Sequence, residues 1–164
     1  QQDLGLTTLF VTHDQEEAVA MADKIFLFLE GKIAQQGVAR DFYTRPATLH
    51  IAKFFGTKNL ISGSVNGDQF DASFGSISLP HSFKFRKAML MIRQESIEVG
   101  LGAANSFRGV VEKVDYLGTH SLVVARVGED KVALNAPPYL IVEVGSVIDL
   151  RLPMEHLWVV EDPT

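Results

Sequence analysis

The pattern of hydrophobic and polar positions changes character near Gly56. After this residue, short runs of alternating hydrophobic and polar residues recur, separated by turn signals such as Asn66-Gly67. Alternation with a period of two is typical of strands that bury one face. The predicted strands are residues 60–65, 69–74, 77–79, 88–92, 107–114, 122–127, 131–134, 147–152 and 157–160. Many short strands at this spacing favour small barrels or sandwiches over a parallel sheet.

The residues before Gly56 mix strand and helix patterns. Residues 24–29 and 32–37 flank a Glu30-Gly31 turn, which predicts a hairpin. A short helical segment at residues 41–43 then leads to the helix breaker Pro46. Thr48 is placed to cap a further helix, whose inward side is predicted from helical spacing. The residues expected to face inward are Leu49, Ala52, Phe54 and Phe55.

The start of the chain combines an apolar stretch with a helix start. Residues 9–11 are predicted to form a strand that leads directly to the polar side chain of His13. Asp14 is followed three positions later by Glu17, which is the spacing of a helix N-terminal capping box. The pattern predicts a strand-to-helix turn that presents His13 at a strand end, where a ligand-sensing side chain would sit.

This run resembles the switch-histidine motif of ABC-transporter ATPases, and residues 18–25 are similar to the helix and strand that follow it in that family. The family's histidine reaches the terminal phosphate of ATP, where an imidazole donates or accepts one hydrogen bond. The resemblance implies this catalytic and cofactor-binding role for His13 in the intact ATPase, with ATP and magnesium as cofactors. It also implies that residues 1–56 are a truncated α/β remnant of the ATPase domain.

ATP hydrolysis needs a Gly-x-x-x-x-Gly-Lys-Ser/Thr loop that holds the phosphates, and a strand-end carboxylate for magnesium. The sequence contains no such loop. By resemblance, the missing motifs lie upstream of Gln1. We therefore expect no ATP turnover by this chain alone, and no cofactor of its own.

Four segments of the β-rich part follow the order and spacing of the TOBE regulatory domain of such ATPases. They are residues 92–95, 107–118, 144–147 and 156–159. The resemblance implies a mainly β fold, with tandem oligonucleotide-binding-type (OB-like) barrels over residues 57–164. The family has Arg-Pro-Glu where this chain has Arg93-Gln94-Glu95, and loss of the proline predicts a looser corner there.

Composition narrows the function classes. A net charge of −5 argues against binding a phosphate backbone, so no nucleic-acid partner is expected. The sequence has no cysteine, no signal peptide and no apolar run long enough to span a bilayer. The five histidines lack the spacing of paired metal ligands, so no metal site is predicted. We expect a cytoplasmic protein at the inner face of the membrane.

Two function classes remain open. The first is a regulatory and dimer-supporting part of an ABC import ATPase, with a second copy, permease subunits and a solute-binding protein as partners. The second is a stand-alone module that binds an oxyanion such as molybdate or sulfate. Residues 102–106 resemble an oxyanion-holding loop, which makes Ala104, Asn105 and Ser106 candidate ligand-binding residues. The alternative interpretation of this loop is a flexible linker between two barrels.

Overall fold

The structure is a computed structural model that describes residues 6–84, 86–102 and 104–162. Its first part contains three short helices and one hairpin. These elements are α1 (Gln15–Met21), β1 (Ile25–Leu29), β2 (Lys32–Gly37), α2 (Ala39–Thr44) and α3 (Leu49–Phe54). Among the described residues, none of the helices has the length and apolar character needed to cross a bilayer.

The hairpin predicted at residues 24–37 is confirmed. Strands β1 and β2 pair antiparallel, and Leu29 opposite Lys32 closes a turn of two residues. Both turn residues have positive φ, 51° at Glu30 and 75° at Gly31, as expected for a type I′ hairpin turn. Alternation along β1 leaves Phe28 63% exposed.

The strand predicted at residues 9–11 is wrong for this structure. These residues have no strand assignment, and none of the described strands pairs with them. Leu9 and Val11 are 89% and 88% exposed. A strand needs a neighbour to satisfy its backbone N–H and C=O groups, and the described residues provide none here.

Helix α3 begins as predicted but turns a different side inward. The Thr48 hydroxyl accepts a hydrogen bond from the Ile51 backbone N–H at 3.3 Å, which caps the first turn. Ile51 and Ala52 are fully buried, whereas Phe54 is 39% exposed. The prediction is therefore confirmed for Ala52 and wrong for Phe54. Phe55 just after the helix packs on the Phe42 ring, with centroids 5.3 Å apart.

The remainder of the chain is almost entirely strand. The strands are β3 (Asn59–Asn66), β4 (Gln69–Ala72), β5 (Gly75–Ser78), β6 (Lys87–Ile92), β7 (Glu98–Val99), β8 (Ser106–Tyr116), β9 (Ser121–Val127), β10 (Asp130–Ala136), β11 (Val147–Arg151) and β12 (Trp158–Glu161). Each of the predicted strands overlaps one of them. Only the two-residue β7 has no counterpart in the sequence pattern, because two residues are too few to alternate visibly.

These strands form two five-stranded sheets in which all neighbours pair antiparallel. The first has the order β12-β6-β3-β4-β5 and the second the order β10-β9-β8-β11-β7. The C-terminal strand β12 thus returns to the first sheet, where Val159 lies opposite Leu90. The predicted mainly β, OB-like fold class is confirmed.

The two sheets share one hydrophobic core. Phe70 and Leu90 from the first sheet and Val123 and Leu134 from the second are fully buried in the same cluster. Asn59 adds a polar link. Its side-chain amide donates to the Ala133 carbonyl and accepts from the Ala133 N–H, both at 2.7 Å. The Asn59 side chain on β3 therefore satisfies the backbone N–H and C=O of Ala133 on β10.

Candidate functional site

The turn that carries His13 is held by a small hydrogen-bond network. The Asp14 carboxylate accepts from the backbone N–H groups of Glu16 at 2.8 Å and Glu17 at 3.2 Å, which caps α1. The Thr12 hydroxyl accepts from the Asp14 N–H at 3.0 Å and donates to the Glu17 carboxylate at 2.8 Å. The Asp14 cap predicted from sequence is confirmed, but Glu17 reaches Thr12 where a full capping box would have it accept from the Asp14 N–H.

His13 sits between two residues of this network, and its side chain is exposed. The backbone on both sides of the imidazole is therefore fixed while the ring faces solvent. An exposed imidazole at a fixed turn can donate or accept one hydrogen bond to a ligand that approaches from outside.

The loop with Ala104, Asn105 and Ser106 is tied into the fold. Asn105 is 9% exposed and has a φ of 52°. Its side chain accepts from the Ser78 N–H at 2.8 Å and donates to the Ser78 carbonyl at 2.9 Å. The Ser106 hydroxyl accepts from the Gly102 N–H at 2.8 Å. Ala104 is exposed, whereas the Asn105 and Ser106 side chains bond to the backbone of this chain.

A second cluster, which sequence reasoning missed, joins the first part of the chain to the β sheets. Arg93 follows β6 and is 7% exposed. Its guanidinium donates twice to the Tyr43 carbonyl, at 3.0 and 2.7 Å, and once to the Phe55 carbonyl, at 2.7 Å. It also lies 3.7 Å from the centre of the Tyr43 ring, and the Tyr43 hydroxyl donates to Glu95. We call Arg93, Tyr43, Phe55 and Glu95 the Arg93 clasp.

The sequence predicts a looser corner at Arg93-Gln94-Glu95, whereas the clasp holds this corner in place. Residues Gln94–Ser96 form a 3₁₀ turn, and the three guanidinium hydrogen bonds fix the corner without the proline. Burial lowers the pKa of Arg93. Burial and the Glu95 carboxylate raise the pKa of Tyr43. Both pKa shifts follow mainly from burial, because a charged guanidinium and a charged phenolate are each less stable away from water.

Trp158 on β12 makes a second connection to the first part. Its indole N–H donates to the Pro46 carbonyl at 3.0 Å. Next to this bond the Trp158 ring meets His81 and Phe83, each at a centroid distance of 5.6 Å. The partners are 112 residues apart in the chain, so no local sequence pattern announces the contact.

Comparisons with known proteins show which proteins this chain resembles. A family model described as the TOBE domain matches residues 90–160. The Fe(3+) ions import ATP-binding protein FbpC 1 of Rhizobium meliloti (strain 1021) is 38% identical over 73% of this chain and 36% of its own length. The spermidine/putrescine import ATP-binding protein PotA of Aster yellows witches'-broom phytoplasma (strain AYWB) is 33% identical over 98% of this chain and 39% of its own length.

A solved structure supports the fold alone. The cytoplasmic molybdate-binding protein ModG, in its molybdate-bound form, superposes with a TM-score of 0.57 and 9% identity, covering 65% of this chain and 98% of its own. The chain spans less than half the length of the curated relatives it matches. The chain is thus homologous to importer-type ATP-binding subunits of ABC transporters, and residues 90–160 match the TOBE domain.

Proposed function

We propose that, in an intact ABC import ATPase, residues 1–56 carry the switch histidine and residues 57–164 form the regulatory and dimerisation domain. The observation that supports the histidine role is the Thr12, Asp14 and Glu17 network, which fixes the backbone around an exposed His13. In this role the imidazole makes one hydrogen bond to the terminal phosphate of bound ATP. The remainder of the ATPase holds the other phosphates and magnesium.

Apolar side chains exposed in the first part of the chain support the proposal that further protein covers them in the intact subunit. Val19, Met21, Phe28 and Ile33 are 46%, 66%, 63% and 52% exposed, and α1 buries none of its residues. An accumulation of large exposed apolar side chains favours contact with further protein. We infer that the neighbour is the rest of the same ATPase domain, because the chain spans only 36–39% of its relatives' length.

The partners follow from this role. The β region pairs with a second copy of itself, and the intact transporter adds permease subunits and a solute-binding protein at the inner face of the cell membrane. A solute or protein that binds the β region regulates transport only if it binds the open and closed states differently. The matched relatives import ferric ions and polyamines, so the transported solute stays open.

The decisive experiment replaces His13 in the intact subunit. We expect His13→Ala to reduce ATP turnover by about 100-fold or more, within the range of a lost catalytic hydrogen-bonding side chain, while ATP binding changes little. His50→Ala is the matched control, since His50 is also exposed but lies on α3. Wild-type turnover by His13→Ala would refute the proposed role.

Oxyanion binding at Ala104, Asn105 and Ser106 is the alternative proposal, and it has less support. The Asn105 and Ser106 side chains already bond to Ser78 and Gly102. Titration calorimetry of the chain with molybdate, tungstate and sulfate tests it. Saturable binding that Ser106→Ala abolishes would favour the alternative over a purely structural loop.

A further inference from the structure

A cleft of about 640 Å³ lies beside the Arg93 clasp, between α2 and the first sheet. One wall comes from the first part of the chain, with Arg40, Thr44 and Arg45. The opposite wall comes from the β region, with His81 and Trp158. Small-molecule sites have volumes of about 300–1,000 Å³ and occur preferentially where two units meet. Both conditions hold for this cleft.

The charge of the lining differs from that of the whole molecule. Arg40 and Arg45 line the cleft together with two carboxylates, Asp41 and Glu155, and the buried Arg93, whose guanidinium bonds to the Tyr43 and Phe55 carbonyls, adds a third positive charge beside them. The chain as a whole carries −5. The Asp41 carboxylate also accepts the Val38 N–H at 3.2 Å, which directs it to the start of its own helix. Imidazoles of His81 and His156 and the Thr44 hydroxyl add groups that can donate to an anion. The lining therefore favours an anionic ligand.

The aromatic side chains that line the cleft indicate which shape of anion would bind there. The Trp158 ring lies on the β side of the cleft, next to His81, and the Arg45 guanidinium lies over the same ring at 5.9 Å. Flat aromatic or heterocyclic rings stack well on indole and on guanidinium planes. Guanidinium groups also bind phosphate or carboxylate oxygens in a bidentate manner.

We propose that this cleft is a binding site for a small organic anion that carries a flat ring, of the size of a nucleoside monophosphate. Because its walls belong to both parts of the chain, an occupant would hold α2 against the first sheet next to the Arg93 clasp. The site is separate from His13 and does not depend on the switch-histidine role.

Three related probes test the proposal on the whole chain by titration calorimetry. Adenosine monophosphate carries both the ring and the anion, adenosine carries only the ring, and inorganic phosphate only the anion. We expect saturable binding of adenosine monophosphate, at least about tenfold tighter than either of the other two, as both recognition elements are needed. Absence of binding, or equal binding of adenosine, would overturn the proposal.

Variants locate the bound probe. Arg45→Gln and Arg40→Gln should each weaken adenosine monophosphate binding by about tenfold, the effect of a lost charged hydrogen bond. Arg40 makes no stacking contact with Trp158 among the described contacts, so its variant remains informative if Arg45→Gln unfolds. Arg108→Gln is the control, because Arg108 is 68% exposed in its side chain and pairs with Asp149 in the second sheet. His13→Ala should also leave binding unchanged. Equal weakening in Arg108→Gln or His13→Ala would contradict the assignment of the cleft.

Discussion

The two parts of the molecule bury apolar side chains to very different extents. Among the described residues up to Gly56, three hydrophobic side chains are buried and twelve large ones are exposed, whereas the β region contains a continuous core drawn from both sheets. The three buried ones, Phe42, Ile51 and Ala52, lie in α2 and α3, next to the Arg93 clasp. The β region thus contains a continuous core, whereas the buried hydrophobic side chains described in the first part lie next to its contacts with the β region.

The largest expected effect contrasts two phenylalanines from the two parts. Phe70→Ala should destabilise the chain by about 3–5 kcal/mol, because it leaves a cavity in the shared core. Phe28→Ala should change the free energy of unfolding by less than about 0.5 kcal/mol, since the side chain is 63% exposed. Urea unfolding of both variants measures the difference. A similar loss in both would contradict the division into an ordered domain and a dependent segment.

The next effect concerns the connection between the two parts. Arg93→Gln should cost about 2–3 kcal/mol, because it removes the hydrogen bonds that the buried guanidinium makes to the Tyr43 and Phe55 carbonyls. Hydrogen exchange should show faster exchange in α2 and α3, with the second sheet unchanged. Arg126→Gln is the matched control, as that guanidinium pairs with Glu112 at the surface. Uniform loss of protection across the chain would show that Arg93 supports the β core as well.

A smaller effect is expected from the link between the two sheets. Asn59→Ala removes both hydrogen bonds to Ala133 and should cost about 1–3 kcal/mol. Asn66→Ala at the exposed end of the same strand serves as the control. Thermal unfolding of the two variants makes the comparison, and an unchanged midpoint for Asn59→Ala would mean that the shared apolar core alone holds the sheets together.

The smallest effect lies on the surface of the second sheet. The hydrogen bond from Lys131 lowers the pKa of Glu112, with Arg126 adding to the effect. A carboxyl whose folded pKa is depressed contributes stability above its unfolded pKa, and that stability is lost as the pH falls through the folded value. NMR titration of Lys131→Gln should show the Glu112 pKa move up, whereas Lys113→Gln, which alters the pair with Asp115, should leave it in place.

Local patterns predicted the elements well, and long-range contacts account for what they missed. The Glu30-Gly31 turn and the Asp14 cap follow from residues within a few positions of each other. The contacts of Tyr43 and Phe55 with Arg93 and Glu95 in the clasp join residues 38 to 52 positions apart, and patterns of local spacing cannot predict contacts at that separation. Residues 9–11 have the composition of a strand, but a strand also needs a partner.

The candidate site was predictable in part for the same reason. His13 was identified from a contiguous run, and the structure places it at the turn before α1. Asn105 and Ser106 are candidates because their loop is rich in small residues and resembles an oxyanion-holding loop. Neither observation reveals whether their hydrogen-bonding groups are free or already used inside the fold. The cleft beside Trp158 had no sequence signal, because its two walls come from distant parts of the chain.

The return of β12 to the first sheet has a consequence for biosynthesis. Strand β6 is flanked on one side by β3 and on the other by β12, so its Met91 stays without one neighbour until Trp158 has left the ribosome. Nascent chains shorter than this would present an open strand edge, where pairing with another chain competes with folding. We therefore expect a chain that stops before Trp158 to expose the β6 edge and to aggregate more readily than the whole chain.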